Sequence, residues 1–231
     1  SDVPEGYTSI VTKETDKDTL NYWFRPKLEV DSLIFEITHK QTIDTTVVKI
    51  KDYKSDSLVF KSIGSMLKLK ESYRLSSTIP LDSMDATKVK VMDKDSVFQQ
   101  PTMVLDSFSN TVDFSFNKTE KNSYTIEMLP GAFTDFYGAK NDTLIFNATT
   151  KARSSYGDVR IEIRNGVYPL IVQLTDSKGM VVETSLVQEA IPVDFNEVTP
   201  CIYFLRVIFD TNQNGVYDSG DYLKKIRKLF K

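Results

Sequence analysis

The chain has 231 residues, a formal net charge of −3 and 40% hydrophobic residues, which indicates two or three globular domains and excludes a disordered chain. Basic and acidic residues are interspersed, so no basic stripe points to a nucleic-acid partner. Cys201 is the only cysteine, which excludes an intrachain disulfide and a cysteine-based zinc site. No apolar run reaches membrane-spanning length.

The first block begins with a polar and irregular segment over residues 1–18, and its start, Ser1-Asp2-Val3-Pro4, is what we expect of an excised fragment. Short apolar or alternating runs follow, separated by turn residues, which is the pattern of an all-β sandwich. Four strands are predicted here, over residues 20–24, 33–38, 46–50 and 57–60. We assign residues 1–70 to an N-terminal β-sandwich domain, complete or in part.

The second block, residues 71–152, shows the clearest alternation of apolar and polar residues in the chain. Six strands are predicted, over residues 73–76, 78–82, 88–92, 112–116, 124–128 and 144–149. Strict alternation is typical of strands with one buried face and one solvated face. This block is therefore predicted to be a second β-sandwich domain.

The third block, residues 153–231, opens with Val159, Ile161 and Ile163 alternating with charged residues, which predicts a half-buried strand. Further strands are predicted over residues 168–175, 180–186, 191–195 and 201–209, with a turn at residues 176–179. The strand over 201–209 is the most apolar and is expected at the centre of a sheet. Residues 222–230 fit an edge strand or a short basic helix.

An acidic loop follows that apolar strand, and its oxygen-bearing residues recur at the ligand spacing of a calcium loop. Gly215 stands at position six of this loop. The candidate ligands at positions one, three, five, seven, nine and twelve are Asp210, Asn212, Asn214, Val216 (through its main-chain carbonyl), Asp218 and Asp221. Calcium takes about six to eight oxygen ligands, which alternate residues of a tight loop can point at one centre. Asp221 stands where a bidentate Glu is usual, so the predicted site is weaker or differently arranged.

The same residues also fit a loop with a purely structural role. Asn214-Gly215 is a strong turn signal, and Asp and Asn side chains satisfy backbone donors in Asx-turns. The residues before the loop form a predicted strand, which departs from the helix-loop-helix form of a calcium site. A structural loop and a calcium site both stay open.

Other candidate sites are aromatic or nucleophilic. One predicted strand contains three aromatic residues in a row, Tyr22, Trp23 and Phe24. Because neighbouring side chains of a strand point to opposite faces, at least one of the three is expected in the core. The alternative is an aromatic platform that binds a sugar. His39 is the only histidine, and no Gly-x-Ser-x-Gly nucleophile elbow occurs. Cys201 is predicted to be a small buried hydrophobic residue. We therefore predict no enzymatic activity. The alternative that the sequence leaves open is an enzyme with paired carboxylates, because the carboxylate pairs of glycoside hydrolases are assembled in space rather than in sequence.

The second block resembles the bacterial Ig-like domain of the surface-layer (SbsA-type) family in the pattern Tyr124-x-Ile126-x-x-x-Pro130-Gly131-Ala132-Phe133-x-Asp135-x-x-Gly138. In that family the Gly-Ala-x-x-Asp segment is the loop before the last strand. The segment Ile79-Pro80-Leu81 resembles the family's first strand. The family has Asn directly after the last Gly of this pattern, whereas here the first Asn is Asn141.

The third block resembles transthyretin-like sandwiches, which occur as accessory domains of bacterial surface proteins. The wider chain, over residues 21–221, resembles exported Ig-like-domain proteins of Bacteroidota, which are usually lipid-anchored. The resemblance implies an extracytoplasmic location, in the periplasm or at the cell surface, and a lipoprotein with its lipid anchor upstream of residue 1.

Together these patterns predict an all-β chain of tandem Ig-like and transthyretin-like β-sandwich domains over residues 1–70, 71–152 and 153–231. The predicted function is that of a non-catalytic extracytoplasmic module of a bacterial cell-envelope protein, serving as spacer, scaffold or protein-binding surface. The alternative is a calcium-assisted carbohydrate-binding module. Calcium is the one candidate cofactor, and a protein or a glycan is the expected partner. Neither nucleic-acid binding nor a transmembrane segment in this chain is expected.

Overall fold

The structure is a computed structural model that describes residues 5–14, 19–39, 42–50, 57–64, 66–211, 213–215 and 217. In these residues the predicted all-β class is confirmed, because antiparallel strands form the sheets and the helices are two short 3-10 turns. Neither of these helices has the length and apolarity that crossing a membrane requires. The chain divides into two compact units, Ser1–Thr150 and Lys151–Lys231.

The first unit contains fourteen strands in its described part and one 3-10 turn, Ala86–Lys88, before β8. The strands are β1 (Thr8–Lys13), β2 (Leu20–Arg25), β3 (Ser32–His39), β4 (Thr42–Lys49), β5 (Phe60–Ile63), β6 (Tyr73–Ser77), β7 (Leu81–Met84), β8 (Val89–Asp93), β9 (Phe98–Gln99), β10 (Thr102–Asp106), β11 (Thr111–Ser115), β12 (Ser123–Met128), β13 (Phe133–Asp135) and β14 (Leu144–Thr149). Three strand pairs, β1-β2, β3-β4 and β7-β13, form two-stranded sheets.

The core of the first unit lies between two four-stranded sheets, ordered β10-β11-β6-β5 and β14-β12-β8-β9. Because successive side chains of a strand point to opposite faces, Tyr124, Ile126 and Met128 of β12 are buried while the residues between them are partly exposed. The ring of Phe133 packs 4.9 Å from that of Phe60 of β5. Both sheets contribute to one apolar cluster, which is the arrangement of a β-sandwich.

The β1–β2 ribbon is attached to the sandwich of the same unit through one of its faces. Trp23 Nε1 donates a hydrogen bond to the buried Thr12 Oγ1 at 2.8 Å. The Arg25 guanidinium lies 4.5 Å from the centre of the Phe136 ring, donates to the Phe136 carbonyl and forms a 3.7 Å ion pair with Asp82. A cation over an aromatic face contributes about 0.5–2 kcal/mol. The expectation of an irregular segment over residues 1–18 is wrong for β1, because β2 supplies a ladder partner that local sequence does not reveal.

The predicted boundary between residues 70 and 71 lies inside the first unit. Phe60 of β5 pairs with Ser77 of β6, and Leu67 is buried in the same apolar cluster as Leu75. Strand β5 and Leu67 therefore belong to the sandwich that was predicted to begin at residue 71. The other predicted boundary, after residue 152, lies close to the division between the units after Thr150.

The second unit contains a 3-10 turn, Arg153–Ser155, and, in its described part, β15 (Gly157–Ile161), β16 (Leu170–Thr175), β17 (Val181–Val187), β18 (Val193–Val198) and β19 (Phe204–Phe209). Strands β15 and β18 pair, and the other three form a sheet in the order β17-β16-β19. Both sheets contribute residues to one apolar cluster. The half-buried strand predicted from Val159 and Ile161 is confirmed as β15.

The central strand of this three-stranded sheet is β16 rather than the more apolar β19. All six residues of β16 are buried, because the strand has a ladder partner on each side and covered faces. Among the described strands, β19 pairs on one side only, with β16, and its residues Phe204 and Leu205 are 55% and 46% exposed. The central position predicted for the strand over residues 201–209 stays a prediction, because residues 222–230, for which an edge strand was one of two alternatives, lie outside the described residues.

Candidate functional site

Asp210 opens the acidic loop directly after β19 and is buried, with 4% of its surface exposed. Its carboxylate accepts two backbone hydrogen bonds, at Oδ1 from the N–H of Asn214 (3.2 Å) and at Oδ2 from the N–H of Gly215 (2.8 Å). Its own N–H donates to the carbonyl of Pro169 at 3.1 Å, and its carbonyl accepts from the N–H of Gln213 at 3.3 Å. Hydrogen bonds to Asp210 therefore hold the first half of the loop in a turn.

The backbone of this loop depends on glycine at one position. Gly215 has φ of 71°, in the left-handed region that glycine adopts without steric cost. A Cβ at this position would also lie 3.1 Å from Leu186 Cδ1 on β17. The Asn-Gly turn signal in the sequence thus corresponds to a left-handed residue packed against a strand.

Three other loops also close on an aspartate, although Asp210 accepts from the residues four and five places along the chain. Asp93, Asp135 and Asp176 each accept, at Oδ1, the N–H groups of the residues two and four places further along, at 2.8–2.9 Å. Each aspartate carbonyl accepts the N–H of the residue three places along, which has a left-handed backbone. Those residues are Ser96 (φ 63°), Gly138 (φ 87°) and Gly179 (φ 80°). Asp210 and the left-handed Gln213 (φ 58°) repeat this spacing, which is that of an Asx-stabilised turn.

Two of the six candidate calcium ligands, Asp210 and Asn214, are placed by the structure. The other four lie outside the described residues: Asn212, Val216, Asp218 and Asp221. In the described part of the chain, no three His, Cys, Asp or Glu side chains come together as a metal site. The two N–H bonds use two of the roughly four lone-pair directions of the Asp210 carboxylate. Its hydrogen bonds favour a structural role for the first half of the loop, and calcium stays a prediction.

The aromatic residues of β2 divide between the two faces of the strand, as alternation predicts. Trp23 bonds to the inward Thr12, whereas the rings of Tyr22 and Phe24 join those of Tyr7 and Phe35 on the other face. The Tyr22 ring meets the Phe35 ring edge-on at 5.0 Å, and its hydroxyl lies 2.7 Å from that of Tyr7. Desolvation, and then this hydrogen bond, raise the pKa of Tyr7 to about 12. These four outward residues form an aromatic cluster, in which Tyr22 is 39% exposed.

The Gly-Ala-x-x-Asp segment precedes β14, the last strand of the first unit, and two buried polar side chains hold it. Asp135 is 1% exposed and closes its own turn. Asn141 Oδ1 accepts the N–H of Phe133 at 2.7 Å, and its Nδ2 donates to the carbonyls of Leu129 (3.1 Å) and Asp142 (2.7 Å). Asn141, which the sequence marks only as a departure from the family pattern, therefore organises this loop.

Cys201 is exposed, so its predicted burial is wrong. The reason is that the strand begins at Phe204, which leaves Cys201 in the preceding loop, with its Sγ 3.7 Å from the carbonyl of Ile202. His39 is the last residue of β3, and its side chain lies outside the described part of the structure.

Sequence reasoning missed a shallow depression of about 210 Å³ on the outward face of the sheet β14-β12-β8-β9. Its lining residues are Lys90, Met92, Phe98, Thr125, Glu127 and Ile145. The register places Lys90 opposite Glu127 and Met92 opposite Phe98. Phe98 and Ile145 are 64% and 59% exposed. Alternation over residues 88–92 identifies the outward side chains, but only strand pairing brings them together.

No protein-family model matches the chain, and no curated protein shows significant similarity to it. The function proposed below therefore rests on the residues of this chain and on their geometry.

Proposed function

We propose that the chain is a non-catalytic Ig-like module of a bacterial cell-envelope protein, located outside the cytoplasm and serving as a spacer, scaffold or protein-binding surface. The observation that carries this proposal is the use of two buried carboxylates. Asp135 and Asp210 accept hydrogen bonds from backbone N–H groups of their own loops. A carboxylate engaged in this way stabilises the path of a loop.

The architecture of each unit supports a mechanical or scaffolding role. Each unit has its own apolar cluster, to which two sheets contribute side chains. The strands of each unit pair antiparallel. We expect such units to be stable without a ligand, because burial of apolar side chains contributes about 1.5–3 kcal/mol for each large residue. The two-sheet sandwich of the first unit and the loop before β14 also support an Ig-like assignment.

Exposed apolar groups on strands support the protein-binding part of the proposal. The aromatic cluster around Tyr22 and the depression around Phe98 each combine apolar surface with polar groups at the edge. Aromatic side chains are enriched in the central parts of protein interfaces.

The location is tested with an antibody raised against the chain and applied to cells of the source organism. The antibody is expected to bind intact cells or osmotically shocked cells, because the cytoplasmic membrane is unbroken in both. Binding confined to fully lysed cells would contradict the proposal.

The second candidate function is a calcium-assisted carbohydrate-binding module, which the exposure of Tyr22 in the aromatic cluster favours. A glycan panel tested with and without a calcium chelator separates the two functions. We expect no retention in either condition; retention that the chelator abolishes would favour the carbohydrate-binding module. Release of shortened glycans from the same panel would contradict a non-catalytic role.

A further inference from the structure

The β3–β4 ribbon exposes apolar side chains along one of its faces. The strands pair antiparallel with Ile34 opposite Val47, and Ile43 shares the face of Val47 because the two residues are four apart. Ile34, Ile43 and Val47 are 71%, 61% and 61% exposed. A two-stranded ribbon alone is marginally stable in water, whereas three or more strands with an apolar face are stable. Within the described residues, no third strand pairs with β3 or β4.

The edge of β4 that faces away from β3 pairs with no other described strand and presents a row of backbone donors and acceptors. At the base of the ribbon the N–H of Ile50 donates to the carbonyl of Asp31 at 2.9 Å, in the same register as the ladder. Hydrogen-bonded and non-hydrogen-bonded residues alternate along an antiparallel pair, so the even-numbered residues of β4 bond to β3. Ile43, Thr45 and Val47 therefore direct their N–H and C=O groups away from β3. Another extended backbone is the natural partner for such a row.

The sequence of β4 fits a second copy of itself. A two-fold axis at Thr45 places Ile43 opposite Val47 of the second copy and Thr45 opposite its own equivalent. The apolar row of Ile34 and Val47 then continues into Ile43 of the second copy, so side chains that are exposed in the single chain cover one another. Moving the axis one residue toward the C-terminus would instead place Ile43 opposite Lys49.

We propose that the chain forms a two-fold dimer in which β4 pairs antiparallel with β4 of a second copy, giving a four-stranded sheet in the order β3-β4-β4-β3. The contact is isologous, so the same edge serves both copies and the assembly closes at two. Each strand brings one acidic and one basic residue, Asp44 and Lys49, so the paired segments carry no net charge. β4 also contains no proline, the residue that commonly blocks an edge.

Sedimentation equilibrium of the whole chain over a range of concentrations tests the dimer. The expected result is a monomer–dimer equilibrium that Val47→Lys shifts toward monomer, with Kd raised about tenfold or more. The matched control is Val104→Lys, because Val104 is 59% exposed on another edge strand, β10, and this variant should leave Kd unchanged. Both side chains are exposed, so both variants should fold, which circular dichroism checks. A chain that stays monomeric at millimolar concentration, or a dimer that Val47→Lys leaves unchanged, would overturn the proposal.

Disulfide trapping tests the register itself, in a Cys201→Ser background. The axis brings the two Thr45 Cα atoms to about 5.5 Å, which a disulfide spans. Thr45→Cys should therefore give a covalent dimer under mild oxidation, whereas Glu36→Cys, opposite Thr45 but on β3, should not. Equal trapping of both variants, or trapping of Glu36→Cys alone, would place the contact elsewhere and overturn the assignment.

A third variant tests the repulsion between the two Asp44 carboxylates, which the two-fold axis at Thr45 brings near each other. Asp44 lies opposite Thr46 of the second copy and diagonally across from its Asp44, at a separation of about 7–8 Å. Asp44→Asn should therefore lower Kd at low ionic strength, and the difference from the native chain should shrink as salt is added. A Kd that rises in this variant would contradict the axis at Thr45.

Discussion

At the scale of the residue, aspartate at or just after the end of a strand closes loops in both units. A strand end leaves backbone N–H groups without a ladder partner, and burial of such groups is costly. Asp93 and Asp135 end β8 and β13, while Asp176 and Asp210 directly follow β16 and β19. Each supplies carboxylate oxygens to those N–H groups, and hydrogen bonds to a charged acceptor contribute about 1.5–3 kcal/mol where they are shielded from water.

Ser96 holds a left-handed backbone in the Asp93 turn, at the place where the Asp135 and Asp176 turns have Gly138 and Gly179. The left-handed region costs a residue with a Cβ about 1–2 kcal/mol. Ser96→Gly should therefore raise the free energy of unfolding by up to about 1 kcal/mol. The gain is smaller than the strain removed, because glycine increases the conformational entropy of the unfolded chain. Urea denaturation measures the change.

The reverse substitution, Gly179→Ser, is the matched control and should lower the free energy of unfolding by a similar amount. A Cβ there would lie 3.6 Å from Arg206 Nη2, an ordinary contact, so backbone strain accounts for the expected loss. A Ser96→Gly variant less stable than the native chain would show that the Ser96 side chain has a role of its own.

Asp106, the last residue of β10, gives a prediction about pH. The Ser109 hydroxyl, which donates at 2.6 Å, lowers the pKa of Asp106 below its ordinary 3.8, and the N–H groups of Ser109 and Phe108 and the charge of Arg74 add to this effect. A lowered folded pKa contributes stability above the unfolded pKa, and that contribution is lost as pH falls through the folded pKa. Ser109→Ala should therefore cost about 1 kcal/mol or less at neutral pH, because the pair is exposed, and less than that at pH about 2, which lies below the ordinary pKa of Asp106.

Urea denaturation at the two pH values measures this difference, and Ser109→Thr is the control because it keeps the hydroxyl. Equal destabilisation by Ser109→Ala at both pH values would show that packing rather than the Asp106 carboxylate accounts for the effect of Ser109.

At the scale of the element, strands were predictable where alternation coincides with burial. Residues 124–128 alternate in sequence and form β12, with Tyr124, Ile126 and Met128 facing the core. β1 and β10 were missed because β1 has adjacent apolar residues, Ile10 and Val11, and Val104 interrupts the alternation of β10. Pairing with a neighbour defines such strands, and a neighbour distant in sequence is not visible in a local pattern.

The acidic loop was predictable as a turn but not in its contacts. The sequence marks Asn214-Gly215 as a turn, and the structure places Gly215 in the left-handed region. Which N–H groups the Asp210 carboxylate accepts depends on the path of the backbone around it. For the same reason Asn141 was seen as a departure from a pattern rather than as the residue that ties three loop segments together.

The role of the acidic loop is tested by removing its first carboxylate. Asp210→Ala leaves the N–H groups of Asn214 and Gly215 without their acceptor and should lower the free energy of unfolding by about 1–3 kcal/mol. Asp210→Asn keeps one acceptor oxygen and should cost less. Calorimetric melting of the native chain, with and without a calcium chelator, should give the same midpoint if the loop is structural.

Asp176→Ala provides the control, because Asp176 closes a comparable turn that has no calcium-loop spacing. If the acidic loop is structural, the melting midpoint of Asp176→Ala should be the same with and without the chelator. A native midpoint that falls on chelation, with the fall absent in Asp210→Ala, would favour calcium binding at the acidic loop.

At the scale of the whole molecule, each of the two compact units has an apolar cluster of its own. A segment with its own core is expected to fold by itself. Residues 1–150 and residues 151–231, expressed separately, should each unfold cooperatively in urea. Ile126→Ala in the first fragment and Leu170→Ala in the second should each cost about 2–5 kcal/mol, because both side chains are almost fully buried.

Circular dichroism followed through the urea transition measures both fragments. Lys61→Ala is the control in the first fragment, since Lys61 is exposed on β5 and its loss should change stability by less than about 0.5 kcal/mol. A fragment of residues 71–150 as stable as that of residues 1–150 would contradict the inclusion of β5 and Leu67 in the first core.

Trp23 is the only tryptophan of the chain, and it lies in the β1–β2 ribbon with its indole N–H bonded to Thr12. The intrinsic fluorescence of this protein, excited at the red edge of the aromatic band, is therefore a local signal of that ribbon in the first unit. Detachment of the ribbon would move the emission toward longer wavelength while the far-ultraviolet spectrum of the remaining strands stayed nearly constant. The chain thus contains its own spectroscopic reporter for the segment that Arg25 attaches to the sandwich.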